Sequence, residues 1–204
     1  MVLPDGYLDV TPGRLAAVVT YLEQTARPAL PPAAVPEGLR MERVKTVVVE
    51  EYRSVFRKVG EPWLWFSRLR MSDEQLRATL AAEGVELFYL LAGSEPLGML
   101  EMDWREQPEV EIVFLGVAPQ MVGRGAGGYL MRFAIDEAWR RGPRRLWLHT
   151  CTLDHPGALG FYQRFGFVPY RRAVEISEDP RLSGELPREA APQIPIIEPD
   201  SGVR

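Results

Sequence analysis

Between residues 125 and 141 the apolar side chains fall on one helical face. Leu130, Met131, Ala134, Ile135 and Ala138 point one way, and Arg132, Asp136 and Arg140 point the other at four-residue steps. Gly142-Pro143 stops that helix. A second helix opens on the capping box Ser72-Asp73-Glu74-Gln75, continues through Leu76 and Leu80, and can end at Gly84. Residues 50–59 read as a further helix, and residues 156–165 as a short one whose Ala158, Phe161, Tyr162 and Phe165 share a face. Strands are predicted over 39–49, 86–91, 97–104, 109–117, 145–150 and 167–176, with Gly93-Ser94-Glu95-Pro96 turning the second into the third. Near the start, Thr11 as N-cap, Pro12 at the first helical position, and Leu15, Val18, Val19 and Leu22 at helical spacing predict a helix over 11–26.

Strands paired first as hairpins and then joined strand-helix-strand predict an α+β domain with a mixed sheet. Pro28, Pro31, Pro32 and Pro36 break regular structure, so residues 27–38 read as a linker or an extended wrap. The expected organisation is an N-terminal helix and proline-rich linker (1–38), a core domain (39–176), and a proline-rich acidic tail (177–204). The tail has no core of its own, although Ile194, Ile196 and Ile197 could dock.

Composition sharpens this picture in a few places. A formal charge of -4 argues against nucleic acid, whose backbone calls for a basic face. Arg124, Arg140, Arg141, Arg144 and Arg145 nevertheless gather around a glycine-rich segment, which suggests a local anion site. No run approaches the ~20 apolar residues of a spanning helix. The start, Met1 to Gly6, lacks the basic end and apolar stretch of an export signal. A soluble cytoplasmic protein is therefore expected, with no membrane partner. The single cysteine, Cys151, agrees with a reducing compartment. Lys45 and Lys58 are the only lysines, a bias that points to a GC-rich bacterial genome.

The chemistry is carried by Gln120-Met121-Val122-Gly123-Arg124-Gly125-Ala126-Gly127-Gly128, between a strand and the best-formed helix. Glycines let backbone N–H groups approach a ligand, and a helix N-terminus attracts a pyrophosphate. A P-loop would need Gly-Lys-Ser/Thr, which is missing. The spelling Gly123-x-Gly125-x-x-Gly128 matches a dinucleotide fingerprint. However, five residues separate it from the strand, and no acidic residue follows at the expected distance.

Gln120, Gly123 and Gly125 also fill the pattern Gln/Arg-x-x-Gly-x-Gly/Ala of the GNAT N-acetyltransferases. Ala158 to Phe167 resembles that family's Ala-x-x-x-Tyr-x-x-x-Gly-Phe segment, and Glu111-Ile112-Val113-Phe114 resembles the strand that carries a catalytic glutamate in one branch. The resemblance covers about residues 85 to 170. It implies a central, splayed, mostly antiparallel sheet flanked by helices, and acetyl-CoA as co-substrate. The pantetheine arm would lie along Leu115, Gly116 and Val117, and the pyrophosphate on the segment from Gln120 and Val122 through Gly123, Arg124, Gly125, Ala126, Gly127 and Gly128. An acetyl group would then pass to a primary amine by direct attack in a ternary complex.

Tyr162 matches the tyrosine that protonates the departing thiolate; otherwise it is a core aromatic. Glu111 is the candidate base, or else a solvated strand residue, and a β-bulge expected there would reset which face it occupies. His155 stands where the family usually has an asparagine on the cofactor arm, and it bonds the cofactor or caps the helix before Pro156. Trp63, Trp65, Phe66 and Arg68, with Arg70, occupy the segment that shapes the acceptor site in this family, or else close the domain as an apolar staple. His149, Cys151 and His155 are too few and too irregularly spaced for a zinc site, so no metal is expected. The acceptor, a small-molecule amine or a peptide or protein amine, is not legible, and a homodimer is left open. A non-catalytic acyl-CoA-binding module is the alternative function.

Overall fold

The computed structural model describes residues 5–33 and 35–199. Part of the Met1–Gly6 stretch and the last five residues of the tail lie outside them. One seven-stranded sheet runs in the order β2-β3-β4-β5-β6-β1-β7. Its strands are β1 (Arg14–Gln24), β2 (Leu39–Arg43), β3 (Val85–Ala92), β4 (Glu95–Asp103), β5 (Glu109–Val117), β6 (Arg145–Cys151) and β7 (Val168–Glu178). The helices are α1 (Val49–Gly60), α2 (Asp73–Leu80), α3 (Ala126–Arg140) and α4 (Ala158–Arg164). The β5/β6 pairing is parallel and the other pairings are antiparallel, as the α+β expectation requires.

The helix expected over 11–26 is instead strand β1. Leu15, Ala17 and Val19 are buried on one side of it, and Thr20, Leu22 and Gln24 are also buried. Apolar residues at 15, 19 and 22 suit either period. The β-branched and aromatic run Val18-Val19-Thr20-Tyr21 resists the χ1 restriction of a helix, and long-range pairing on both edges decides for the strand. The Pro12-Gly13 step is a turn rather than a helix start: Gly13 N–H donates to the Ile197 carbonyl at 2.7 Å, and its own carbonyl accepts from Asp179 N–H. Residues 27–33 are the extended wrap, tied to α3 by Arg27–Asp136 and by Arg132 donating to the Pro31 carbonyl at 2.7 Å.

Helices α1 and α2 cover one face of the β3–β4 half, and α3 lies on the other face over the main core. Leu130, Met131, Ala134, Ile135 and Ala138 are buried as their spacing predicts, each large side chain contributing about 1.5–3 kcal/mol. The capping box of α2 is complete, with Gln75 N–H on Ser72 Oγ and Ser72 N–H on the Gln75 side chain. After Glu178 there is no further helix or strand among the described residues. Leu186, Ala190 and Ala191 of the tail are nonetheless buried against Leu15 and Leu64, and Ile194 packs beside them while Ile197 is exposed. A buried Asp179–Arg181 ion pair, at 2.6 Å, anchors this stretch, and Arg181 also donates to the Ile194 carbonyl at 2.7 Å.

Candidate active site

The geometry begins where two neighbouring parallel strands part. β5 and β6 stay in register from Glu109↔Arg145 to Ile112↔Leu148 and do not pair beyond it. The expected β-bulge is present at the same level: the β4/β5 register jumps from Met102↔Ile112 to Glu101↔Phe114, so Val113 is the extra residue. Splay and bulge together open the sheet on either side of Leu115.

One cleft, of about 410 Å³, runs from this opening to the start of α3. Gly125 is the N-cap, held at φ 79, a conformation that other residues reach only with strain. The N–H groups of Gly125, Ala126, Gly127 and Gly128 donate to no backbone carbonyl among the described residues, and no acidic side chain sits in the first helical turn. A Cβ at Gly123 would meet nothing within 4 Å, and one at Gly127 or Gly128 would meet only the rings of Phe161 and Phe165 at 3.7–3.9 Å. Free donors, a positive dipole end and open backbone make a site that fits a pyrophosphate. Leu115, Gly116, Val117 and Val122 line the cleft with the glycines. Gln120 and Arg124 do not, and the Ala126 side chain is buried in the core, so only its backbone is on offer. Gly116 is required for a different reason: a Cβ there would lie 2.5 Å from Val59 Cγ1 and 3.1 Å from the Trp65 ring.

A second cleft, of about 270 Å³, lies on the α1 side of the sheet. The two clefts share Trp63, Trp65, Leu115, Asp154 and Tyr162, so they meet at these residues. Tyr162, on α4, packs edge-on against Phe161 and Phe167 at centroid distances of 5.6 and 6.3 Å. Its hydroxyl has no hydrogen-bond partner among the described residues. Burial, reinforced by the Asp154 and Cys151 charges, raises its pKa well above 10, so the phenol keeps its proton throughout the neutral range.

The segment after α1 forms the outer wall of the second cleft. Trp65 packs on Phe56 and Phe114 and donates Nε1–H to Asp154 Oδ1 at 3.1 Å, while Trp63 stands edge-on to His155. Phe66 and Arg68 line this cleft only. Arg68 is ion-paired with buried Glu101, which also accepts from the Tyr52 hydroxyl at 2.8 Å. Arg70 lies outside, stacked on Phe66 and donating to Glu185 of the tail.

Glu111 lines neither cleft; its Oε1 lies 3.3 Å from His149 Nδ1, and His149 does line the second cleft. Sequence spacing gave no role to His149 or to Asp154. The Asp154 carboxylate accepts from Trp65, from Thr150 Oγ1 at 2.7 Å and from Cys151 N–H at 2.9 Å, which locks the outer wall to the β6–α4 loop. His155 lines the first cleft, and its Nδ1 accepts from Gly157 N–H at 2.9 Å in the turn leading to α4. Burial, with the Asp154 charge adding to it, pushes the Cys151 thiol up to about 11. Among the described residues no group of His, Cys, Asp and Glu side chains is arranged to hold a metal ion, and no helix is long and apolar enough to cross a membrane.

A splayed mixed sheet with a glycine-capped helix at the split defines the acyl-CoA N-acyltransferase class of fold. The chain belongs to the GNAT acetyltransferase family, whose model matches residues 48–167, more than half of it. That family uses acetyl-CoA as co-substrate. Streptothricin acetyltransferase of Streptomyces lavendulae is 38% identical over 65 residues, which span 32% of this chain and 33% of the relative. The fold resembles that of a GCN5-related N-acetyltransferase from Sphaerobacter thermophilus, with TM-score 0.62 and 18% identity over 82% of this chain and 52% of the other. It also resembles the ribosomal-protein-S18-alanine N-acetyltransferase of Escherichia coli, with TM-score 0.53 and 17% identity over 68% of this chain and 90% of the other. The chain thus matches a third of the curated relative's length and about half of the Sphaerobacter structure. At these identities the structural likeness speaks for the fold alone.

Proposed function

We propose that the protein transfers an acetyl group from acetyl-CoA to a primary amine by direct attack while both substrates are bound. The observation that carries this is the meeting of two clefts at Leu115, Asp154 and Tyr162, one ending at a helix N-terminus and the other lying on the opposite side of the split. A pyrophosphate on the N–H groups of Gly125 to Gly128 and an arm along Leu115 to Val117 would bring a thioester to the junction. An amine in the second cleft would attack the carbonyl carbon there. The carbon–sulfur bond breaks, the sulfur takes the proton of Tyr162, and the nitrogen gives up one proton on the acceptor side. Tyr162 is suited to the donor role because its hydroxyl is protonated and uncommitted at the junction.

The acceptor proposed is a small-molecule amine or a peptide amine, the classes to which the streptothricin enzyme and the S18-alanine enzyme are each directed by name. The second cleft supports turnover over mere acyl-CoA binding, since a sensor module would not need it. The test is free-thiol release from acetyl-CoA with streptothricin, putrescine, Nα-acetyl-lysine amide and an alanine-initiated peptide. Acetyl-CoA binding without thiol release from any amine would favour the non-catalytic module.

A further inference from the structure

We propose that His149 is the proton acceptor of this reaction and that Glu111 is its positioning residue, a step that rests on the acyl-transfer reading above. His149 stands on β6 just past Leu148, the last residue of β6 still paired to β5, and lines the proposed acceptor cleft, as Tyr162 and Asp154 also do. Its Nδ1 lies 3.3 Å from Glu111 Oε1 on the neighbouring strand. With Nδ1, the nitrogen nearer that carboxylate, carrying the proton, Nε2 would hold the free lone pair. Nε2 has no hydrogen-bond partner among the described residues. Glu111 itself lines neither cleft, so the imidazole is the member of the pair that faces the second one.

The surroundings suit the role. Tyr21 of β1 packs on the ring at 5.6 Å and Trp147 of β6 at 6.5 Å. The charged groups around it are Glu111 on β5, Glu175 on β7, Asp154 in the loop after β6, Arg68 across the cleft and Arg171 over Tyr21. The Glu111 carboxylate raises the His149 pKa above 6.5, against burial that lowers it, and Asp154 and Glu175 add to the rise. The raised pKa makes His149 a stronger base than an isolated imidazole. Attack leaves the nitrogen positively charged and therefore far more acidic than a free ammonium. Nε2 takes that proton as the carbon–sulfur bond breaks, Tyr162 protonates the sulfur, and both side chains then exchange protons with solvent.

His149 and His155 are the only histidines, which makes the test direct. Imidazole C–H resonances of the full chain are titrated by NMR, with His155→Gln used to assign the His149 signal, and need no acceptor. His149 should titrate above 6.5, and Glu111→Gln should lower that value. The acid limb of kcat/KM, measured by thiol release with the best amine of the panel, should move down in step. His149→Gln should lower kcat by about 10² to 10⁴-fold, with KM for acetyl-CoA and the acetyl-CoA-induced rise in Tm retained. An acid limb that stays put while the NMR value falls, or a His149→Gln rate within threefold of wild type, would overturn the proposal and leave acyl transfer standing. A wild type that acetyl-CoA does not stabilise would overturn the underlying reading as well.

Discussion

Replacing Tyr162 by phenylalanine keeps the ring and deletes one hydroxyl, so its effects on stability and on rate can be forecast separately. The ring's packing on Phe161 and Phe167 is preserved. The hydroxyl has no partner among the described residues, so no hydrogen bond among them is lost and the change in stability should stay within about 0.5 kcal/mol. That corresponds to a Tm change of at most about 2 °C for a chain of this size. Loss of a positioned general acid removes about 10² to 10⁴ in rate, equivalent to about 3–5 kcal/mol of transition-state stabilisation. The two expectations differ by roughly an order of magnitude in energy, which makes the variant discriminating. Thermal melts with and without acetyl-CoA should coincide with those of wild type, whereas thiol release at saturating substrates should fall by at least about a hundredfold. A rate within about threefold of wild type, with chemistry rate-limiting, would show that Tyr162 is packing alone.

Other substitutions probe separate parts of the site. Gly125→Glu places a side chain at φ 79 and a carboxylate on the free N–H groups, so the acetyl-CoA-induced Tm rise, worth about 2.7 kcal/mol at a hundredfold excess over Kd, should vanish; an undiminished rise in differential scanning fluorimetry would refute the cradle. Glu101→Gln leaves the largely buried Arg68 without its counter-charge and should cost about 3–5 kcal/mol in urea unfolding, and a loss below about 1 kcal/mol would show that water reaches the pair. Cys151, raised from 9.0 to about 11, should react with a disulfide reagent at pH 7.5 about 100-fold more slowly in the native protein than in urea, and equal rates would contradict the burial. The same shift has a sign for stability: the unfolded thiol ionises first, so the contribution falls as pH rises from 9 towards 11 and is constant below that window.

Much of this fold is written locally. The capping box of α2, the apolar face of α3 and the β3–β4 hairpin depend on residues a few positions apart, and their type and approximate place follow from the sequence. The predicted first core strand over 39–49 overran, because Thr46-Val47-Val48 look extended while the chain has already left the sheet after Arg43 and is turning into α1. The glycine-rich turn before α3 is equally legible, since glycines before a helix carry their own conformational meaning. The acceptor side is not. Which face Glu111 presents depends on the bulge at Val113, and its contact with His149 depends on the β5/β6 register, neither of which neighbouring residues encode. Arg68 finds Glu101 and Trp65 finds Asp154 across 33 and 89 residues, so spacing could mark the aromatic segment but could not name its partners.

The strand that defeats the local rules also sets the order in which the molecule can be made. β1 occupies the slot between β6 and β7, and Val18 N–H donates to a side chain 134 residues further along. On the ribosome β1 emerges before β2 to β5 and has no neighbour to pair with until β6 has followed. Its two edges must wait unpaired through the synthesis of nearly the whole sheet. The half built from β2 to β5 with α1 and α2 can assemble as it appears, whereas the half bearing His149, Cys151 and Glu175 closes only when the earliest segment returns to meet the latest. The second cleft, lined by both halves, can therefore form only once β1 and β7 have met.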